Sequence, residues 1–325
     1  MTIMNMVQAI NSALSNAMEN DKDVILLGED VGIDGGVFRV TDGLFKKFGK
    51  ERVMDTPLAE LGIVGCAIGM AVYGLKPVAE IQFSGFLPPA FDQLVSHAGR
   101  LRNRSRGRYT VPLVVRTPYS GGIHAPEHHS ESMETVYAAV PGIKVVIPSR
   151  PYNAKGLLIS SIKDPDPVVF LEPKRVYRAI KEDVPEESFA LPLGKANVEK
   201  EGKDVSVISY GAMMKYTKEA VEEAEKQKVS CEIIDLQTIS PLDFDTIAKS
   251  VKKTGRCVIV HEAPKTCGIG AEIIAMINER ALLSLEAPVK RVTGFDTPFP
   301  LSKLEGHYLP NPKRILHGIL GTAKF

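Results

Sequence analysis

The chain has four cysteines, Cys66, Cys231, Cys257 and Cys267, and no CxxC pair among its 325 residues. That spacing excludes a disulfide scaffold and a thiolate zinc site, and it fits a reducing compartment. Neither sign of charge dominates: 40 Lys+Arg face 39 Asp+Glu, so no global field draws the chain to nucleic acid or anionic lipid. No stretch approaches the roughly 18 apolar residues of a membrane span. The amino-terminal MTIMNMVQAINSALSNAMENDKD has neither a basic segment leading into an apolar run nor the arginine-rich character of a transit peptide. The expected location is the cytoplasm. A phosphate cradle is missing too. GxxxxGK[ST] does not occur, GxGxxG follows none of the strand-like runs, and CGIGAE at 267–272 is a weak approximation. A diphosphate cofactor, if one is used, is not gripped by this chain through a known phosphate loop.

What is present reads as an ordinary soluble globular protein, with 44% hydrophobic and 24% charged residues. The length favours two domains. Met4, Val7, Ile10, Leu14 and Met18 recur at helical spacing, and VILLGED follows as a short apolar run ending in a loop. The alternation continues with a helix at about 60–73, the strand PVAEIQF, the helix PAFDQLVSHAGRL, the strands VPLVVRTP and IKVVIPS, a helix at about 152–163, and the strand PVVFLE. Strands alternating with helices predict a parallel α/β sheet. The pattern lapses into charged, proline-containing text after Pro173 and resumes at DVSVISYGAMM, VSCEIIDLQTISPLD and RCVIVHEAP. The expected organisation is an α/β domain over 1–180, a linker over 181–203 and a second α/β domain over 204–325, each a mainly parallel sheet flanked by helices.

Three segments carry candidate chemistry. In DTPLAELGIVG, Thr56 suits a helix cap, Pro57 the first helical position and Glu60 the first turn. The turns that follow are apolar and carry Gly62, Gly65 and Gly69 near one face, which suggests close packing either on the chain's own sheet or across a subunit interface. A carboxylate heading a helix buried throughout would hold its proton more tightly and is a candidate acid/base. In GRLRNRSRGRY, Arg100, Arg102, Arg104, Arg106 and Arg108 alternate with no aromatic between them for base stacking, so a solvated or interface segment is favoured over an RNA site. In GIHAPEHHSES, three histidines lie within six positions. Pro126 between His124 and His128 argues against a helix presenting both to one metal. The segment is a loop beyond the strand VPLVVRTP, where open α/β sheets bind ligands. Zinc binding, surface histidines and acid/base use all stay open on the residues alone.

Over essentially its whole length the chain resembles the β subunit of the thiamine-diphosphate-dependent decarboxylase component of 2-oxo acid dehydrogenase complexes. The likeness rests on ILLGEDVG, GGVFRVTDGL, ERVMDTPLAELGIVG, AEIQF, HHSES, PGIKVVIPSRPYNAKGLL and DPDPVVFLEPKRVYR. It implies a transketolase-like pyrimidine-binding domain followed by a transketolase C-terminal-type domain. VSCEIIDLQTISPLD, HEAP, GFDTPFP and FLEPKRVYR look most like the branched-chain 2-oxo acid enzyme, with pyruvate and acetoin dehydrogenases as alternatives. The resemblance implies an α2β2 heterotetramer in which the α subunit holds the diphosphate and Mg2+, and acyl transfer to the lipoyl group of an acyltransferase component. Glu60 matches the glutamate that hydrogen-bonds pyrimidine N1′, Phe86 the aromatic that stacks on the pyrimidine, and Glu29 and Gln82 residues lining the same pocket. His129 matches the histidine of proton transfer and acyl hand-over. His124 matches a family position of less defined duty, His128 is incidental, and Glu131 stands where glutamine is common. A structural K+ would be held by oxygens around Val111, Leu113 and Val114 and near Ser161 and Asp164. Two readings from other classes are a histidine-cluster metal-dependent hydrolase and a non-catalytic scaffold.

Overall fold

The computed structural model describes residues 1–325. The first helix, Met6–Asn20, begins where the Asn5 side chain accepts from the Gln8 amide at 3.0 Å and the Gln8 side chain accepts from the Asn5 amide at 2.9 Å. This reciprocal pair satisfies two amides that the helix itself leaves free. The apolar stripe of Ile10, Leu14 and Met18 is buried and packs against the helix Pro151–Lys163.

These helices cover one face of a seven-stranded sheet. Its spatial order is Thr238–Ser240, Lys144–Val146, Val168–Pro173, Val114–Tyr119, Lys76–Glu80, Val24–Gly28 and Val53–Asp55. All neighbours are parallel except the first pair. Leu26, Val78, Val114 and Val168 face the layer containing Ile10 and Leu14, while Leu27, Ala79, Val115 and Val169 face the layer containing Ile63 and Val64. Burial on both faces is why these strands read as continuous apolar runs.

The second sheet has the order Lys290–Val292, Cys257–Val260, Val205–Ser209, Cys231–Asp235 and Asn197–Lys200, with only the last strand antiparallel. The helices Met213–Lys226, Phe244–Thr254, Ile269–Ala281 and Pro312–Ala323 flank it. The two halves are laced together. The edge strand Thr238–Ser240 belongs to the first sheet although it lies beyond the second domain's strand Cys231–Asp235. The stretch 181–203 is more than connecting chain, since Lys181–Val184 pairs with Thr2–Asn5 and Asn197–Lys200 joins the second sheet. Tyr210 donates to the buried Glu134 at 2.6 Å, and Asn153 donates to the buried Asp235 at 3.1 Å. Burial pushes both carboxyl groups up, each to about 7, against the hydrogen bonds that favour their charged forms.

The helix expected at 60–73 runs Glu60–Val72, and two expectations about it are corrected. Thr56 does not cap it. The Thr56 amide continues the strand ladder by donating to the Gly28 carbonyl at 3.0 Å, so the chain stays extended and Ala59 takes the cap position. Nor is the helix buried throughout. Ile63, Val64, Ala67, Ile68 and Ala71 are covered, but Leu61 is 52% exposed, and Leu58 just before the helix is 80% exposed. Gly65 rests against the Gln93 side chain, whereas Gly69 has open space beside it. The helix is apolar nearly all round yet covered on one side only.

Candidate functional site

The carboxyl ends of three parallel strands bring the expected residues to one edge of the first sheet. Glu29 follows Val24–Gly28, Gln82 lies two residues past Lys76–Glu80, and the histidine loop follows Val114–Tyr119. Glu29 is buried, and its Oε1 has no hydrogen-bond partner. Burial, and then the charges of Glu60 and Asp30, raise its pKa. Glu60 itself is half-buried, less enclosed than the sequence suggests, because the helix it heads is bare on one side. The Gln82 amide donates to Asp30 at 2.9 Å and so ties two strand ends together.

Phe86 stands in a short turn, Ser84–Phe86, and meets the histidine loop. The His129 ring makes edge contacts with Phe83 and Phe86, at centroid distances of 4.4 and 5.1 Å. Its Nδ1 is buried without a partner. The turn and the loop approach so closely that a Cβ on Gly85 would lie 2.0 Å from the His128 carbonyl oxygen. Only glycine fits there.

The three histidines diverge. His124 is held by its backbone amide, which donates to Glu305 at 3.0 Å, and its ring lies 3.3 Å from the Ser302 carbonyl. His128 points outward, 63% exposed, with Glu131 at 3.8 Å. Glu131 therefore faces His128 and not His129. No group of three histidine, cysteine or acidic side chains comes together as metal ligands, so the hydrolase reading has no geometry to stand on.

Of the residues expected around potassium, Val111, Leu113 and Val114 enter their strand at the sheet's amino edge, far along the strand from the histidine loop. The Leu113 carbonyl accepts from Val168, and the Ser161 carbonyl from Asp164. The Ser161 hydroxyl donates to the Leu157 carbonyl, and the Asp164 carboxylate takes the Lys144 ammonium at 2.7 Å. The arginine segment is the surface helix Gly99–Arg104 and the turn after it; Arg102 pairs with Asp166 at 2.6 Å and Arg108 lies over Tyr109. In CGIGAE, Gly268 and Gly270 lie against the buried His261 imidazole, so these glycines answer to packing inside the second domain.

Sequence reasoning missed the buried charges beneath and behind the site. Arg116, at the centre of the sheet, forks onto Glu172 at 2.6 and 2.8 Å and also reaches Glu80, while Tyr177 donates to Glu172. Burial works against the Arg116 cation, but Glu172 and Glu80 more than offset it and hold it charged. Glu262, Glu305 and Lys174 were missed as well. The signal available was HEAP, an acidic residue just past a buried apolar run, as Glu29 is past VILLG.

Residues 3–180 match the family described as transketolase, pyrimidine binding domain, and residues 194–315 match transketolase, C-terminal domain. The chain is 54% identical over 324 residues to the pyruvate dehydrogenase E1 component subunit beta of Acholeplasma laidlawii, spanning 100% of this chain and 99% of that one. It is 53% identical over 325 residues to the subunit of the same name in Staphylococcus aureus strain MW2, spanning the whole of both. A solved chain described as split gene transketolase, inactive beta4 tetramer, superposes with a TM-score of 0.82 over 99% of this chain and 98% of its own. At 19% identity that is a likeness of fold. The relatives carry the pyruvate name, which favours the pyruvate alternative over the branched-chain expectation. The segments behind that expectation are poor guides to substrate: Cys231–Asp235 is a buried core strand, and Glu262 of HEAP serves an inter-domain contact.

Proposed function

Because the chain belongs to the family of β subunits of thiamine-diphosphate-dependent 2-oxo acid dehydrogenases, we propose that it is the β half of a pyruvate dehydrogenase active site. One observation carries this reading. Glu29, Glu60, Gln82, Phe86 and His129 lie along one sheet edge with Glu29 Oε1 and His129 Nδ1 lacking partners, and the chain carries no known phosphate-loop motif and no cluster of three metal-ligating side chains. Such a set suits an aromatic, nitrogen-bearing ring whose charged tail is held elsewhere.

When bound, thiamine diphosphate would supply the nucleophilic carbon and the electron sink for decarboxylation. Glu60 would share a proton with the pyrimidine N1′ nitrogen, Phe86 would lie against the ring, and Glu29 and Gln82 would close the pocket around it. Overall, pyruvate loses carbon dioxide and its acetyl group leaves as a thioester. The lipoyl disulfide takes up the two electrons, and His129 gives a proton to the sulfur that is released. The α subunit would bring the diphosphate site and Mg2+ and cover the bare face of the helix Glu60–Val72. Beside that face lies a 330 Å3 groove lined by Met54, Pro57, Gly62, Cys66 and Met70 among others.

The purified chain alone is expected to show no turnover. Co-expressed with its α chain, it should run as an α2β2 assembly in mass measurement and favour pyruvate across a panel of 2-oxo acids. A persistent monomer beside the α chain, or turnover without it, would sink the half-site reading, and a preference for branched substrates would move the substrate class.

His129→Ala is expected to spare exchange of the cofactor's C2 proton and to lower acyl transfer to the lipoyl group about 10²-fold or more, since a general acid contributes that order. Comparing the two rates in one preparation checks it. Loss of C2 exchange in this variant would reverse the roles given to His129 and Glu60.

A further inference from the structure

The loop that carries His129 is closed at its neck by a residue of the other domain. Glu262 lies two residues past the strand Cys257–Val260 and is buried. One of its oxygens, Oε1, accepts both the Gly121 amide and, at 3.2 Å, the Ser132 hydroxyl. Those two donors stand at the two ends of the segment that holds all three histidines. The neck is drawn together further by Ser120, whose amide donates to the Glu131 carbonyl at 3.3 Å, and by Ser84, whose hydroxyl donates to the same oxygen at 3.1 Å. Lys174, also buried, donates to the Ser120 carbonyl. Midway round the loop, Glu305 of the second domain holds the His124 amide. Phe299 fits against Gly121 so closely that a Cβ there would lie 2.3 Å from the ring. None of these hydrogen bonds is made to the His129 side chain, and three of the anchors, Glu262, Phe299 and Glu305, come from beyond residue 260.

We infer that Glu262 is a positioning residue for His129: by accepting from both ends of the loop it fixes where the imidazole stands against Phe83 and Phe86. The inference rests on the role given to His129 above. Glu262 touches no reacting atom. Its effect runs through the loop, whose rigidity decides whether the proton donor meets the sulfur. A misplacement of about 1 Å can cost on the order of 10²-fold in rate.

The test uses the assembled α2β2 enzyme with Glu262→Ala, Glu262→Gln, His129→Ala and the double variant Glu262→Ala/His129→Ala. Glu262→Ala should lower acyl transfer roughly tenfold to hundredfold, and the double variant should be no slower than His129→Ala, because residues acting through one another are not additive. Glu262→Gln keeps an oxygen able to accept from both donors and should recover most of the rate. Independently of catalysis, backbone amide exchange in the enzyme without cofactor should rise at Gly121 and His124 in Glu262→Ala and stay near the parent level in Glu262→Gln. If Glu262→Ala and His129→Ala add fully, or if loop exchange is unchanged in Glu262→Ala, the positioning role is overturned while the functional reading stands. If His129→Ala transfers acyl groups at the parent rate, the role given to His129 falls, and the positioning role with it.

Discussion

Glu60→Gln in the assembled enzyme is expected to cut decarboxylation, followed with an artificial electron acceptor, by about 10²–10⁴-fold, the usual reach of general acid–base catalysis. Stability should barely move. Glu60 occupies the first turn of the helix Glu60–Val72 and is half-buried, so the fold loses no more than a charge near a helix amino terminus, about 0.3–1 kcal/mol. Exchange of the cofactor's C2 proton should fall together with decarboxylation, which sets this variant apart from His129→Ala. Glu60→Asp, one methylene shorter, should resemble the glutamine variant in rate although it keeps the charge. If Glu60→Gln retained C2 exchange at the parent rate, Glu60 would not be the proton partner.

Arg116→Met should produce the largest loss of stability, about 3–5 kcal/mol, because removing one partner of a buried ion group strands the others. Arg116 is fully buried between Glu80 and Glu172, on the three central strands Lys76–Glu80, Val114–Tyr119 and Val168–Pro173. Without the guanidinium two carboxylates are left in the interior, with only Tyr177 donating to one of them. The denaturant midpoint of the assembled enzyme checks this, and a change worth less than about 1 kcal/mol would mean that water or protonation relieves the carboxylates at little cost. Arg116→Met combined with Glu172→Leu should recover part of the loss, since a buried ion group replaced by apolar side chains is often tolerated.

Much of the first domain was legible because its information is local. A parallel strand buried on both faces has to be apolar and short, so VILLG and PVVFLE could be read directly, and residues just past such strands fall at the sheet edge where ligands bind. That rule placed the histidine loop, while Glu29 and Gln82 were named through the family resemblance. What escaped depended on partners remote in sequence. The cap of the helix Glu60–Val72 fell to Ala59 because the Thr56 amide found the Gly28 carbonyl. The helix itself is uniformly apolar, so nothing in its pattern told a buried helix from one waiting for another chain. The hold of Glu262 on Gly121 spans 141 positions, and no local spacing reports it.

The order of synthesis gives the edge strand Thr238–Ser240 a further meaning. On the ribosome, residues 1–180 emerge first and could collapse into six strands, yet the flank of Lys144–Val146 then offers unpaired amides and carbonyls to any passing strand. That edge is sealed only when residue 240 has left the exit tunnel, by which time the strands Val205–Ser209 and Cys231–Asp235 have also emerged. Neither half is finished before the other has begun. A gene divided between the two halves would therefore yield an amino-terminal fragment with a sticky flank.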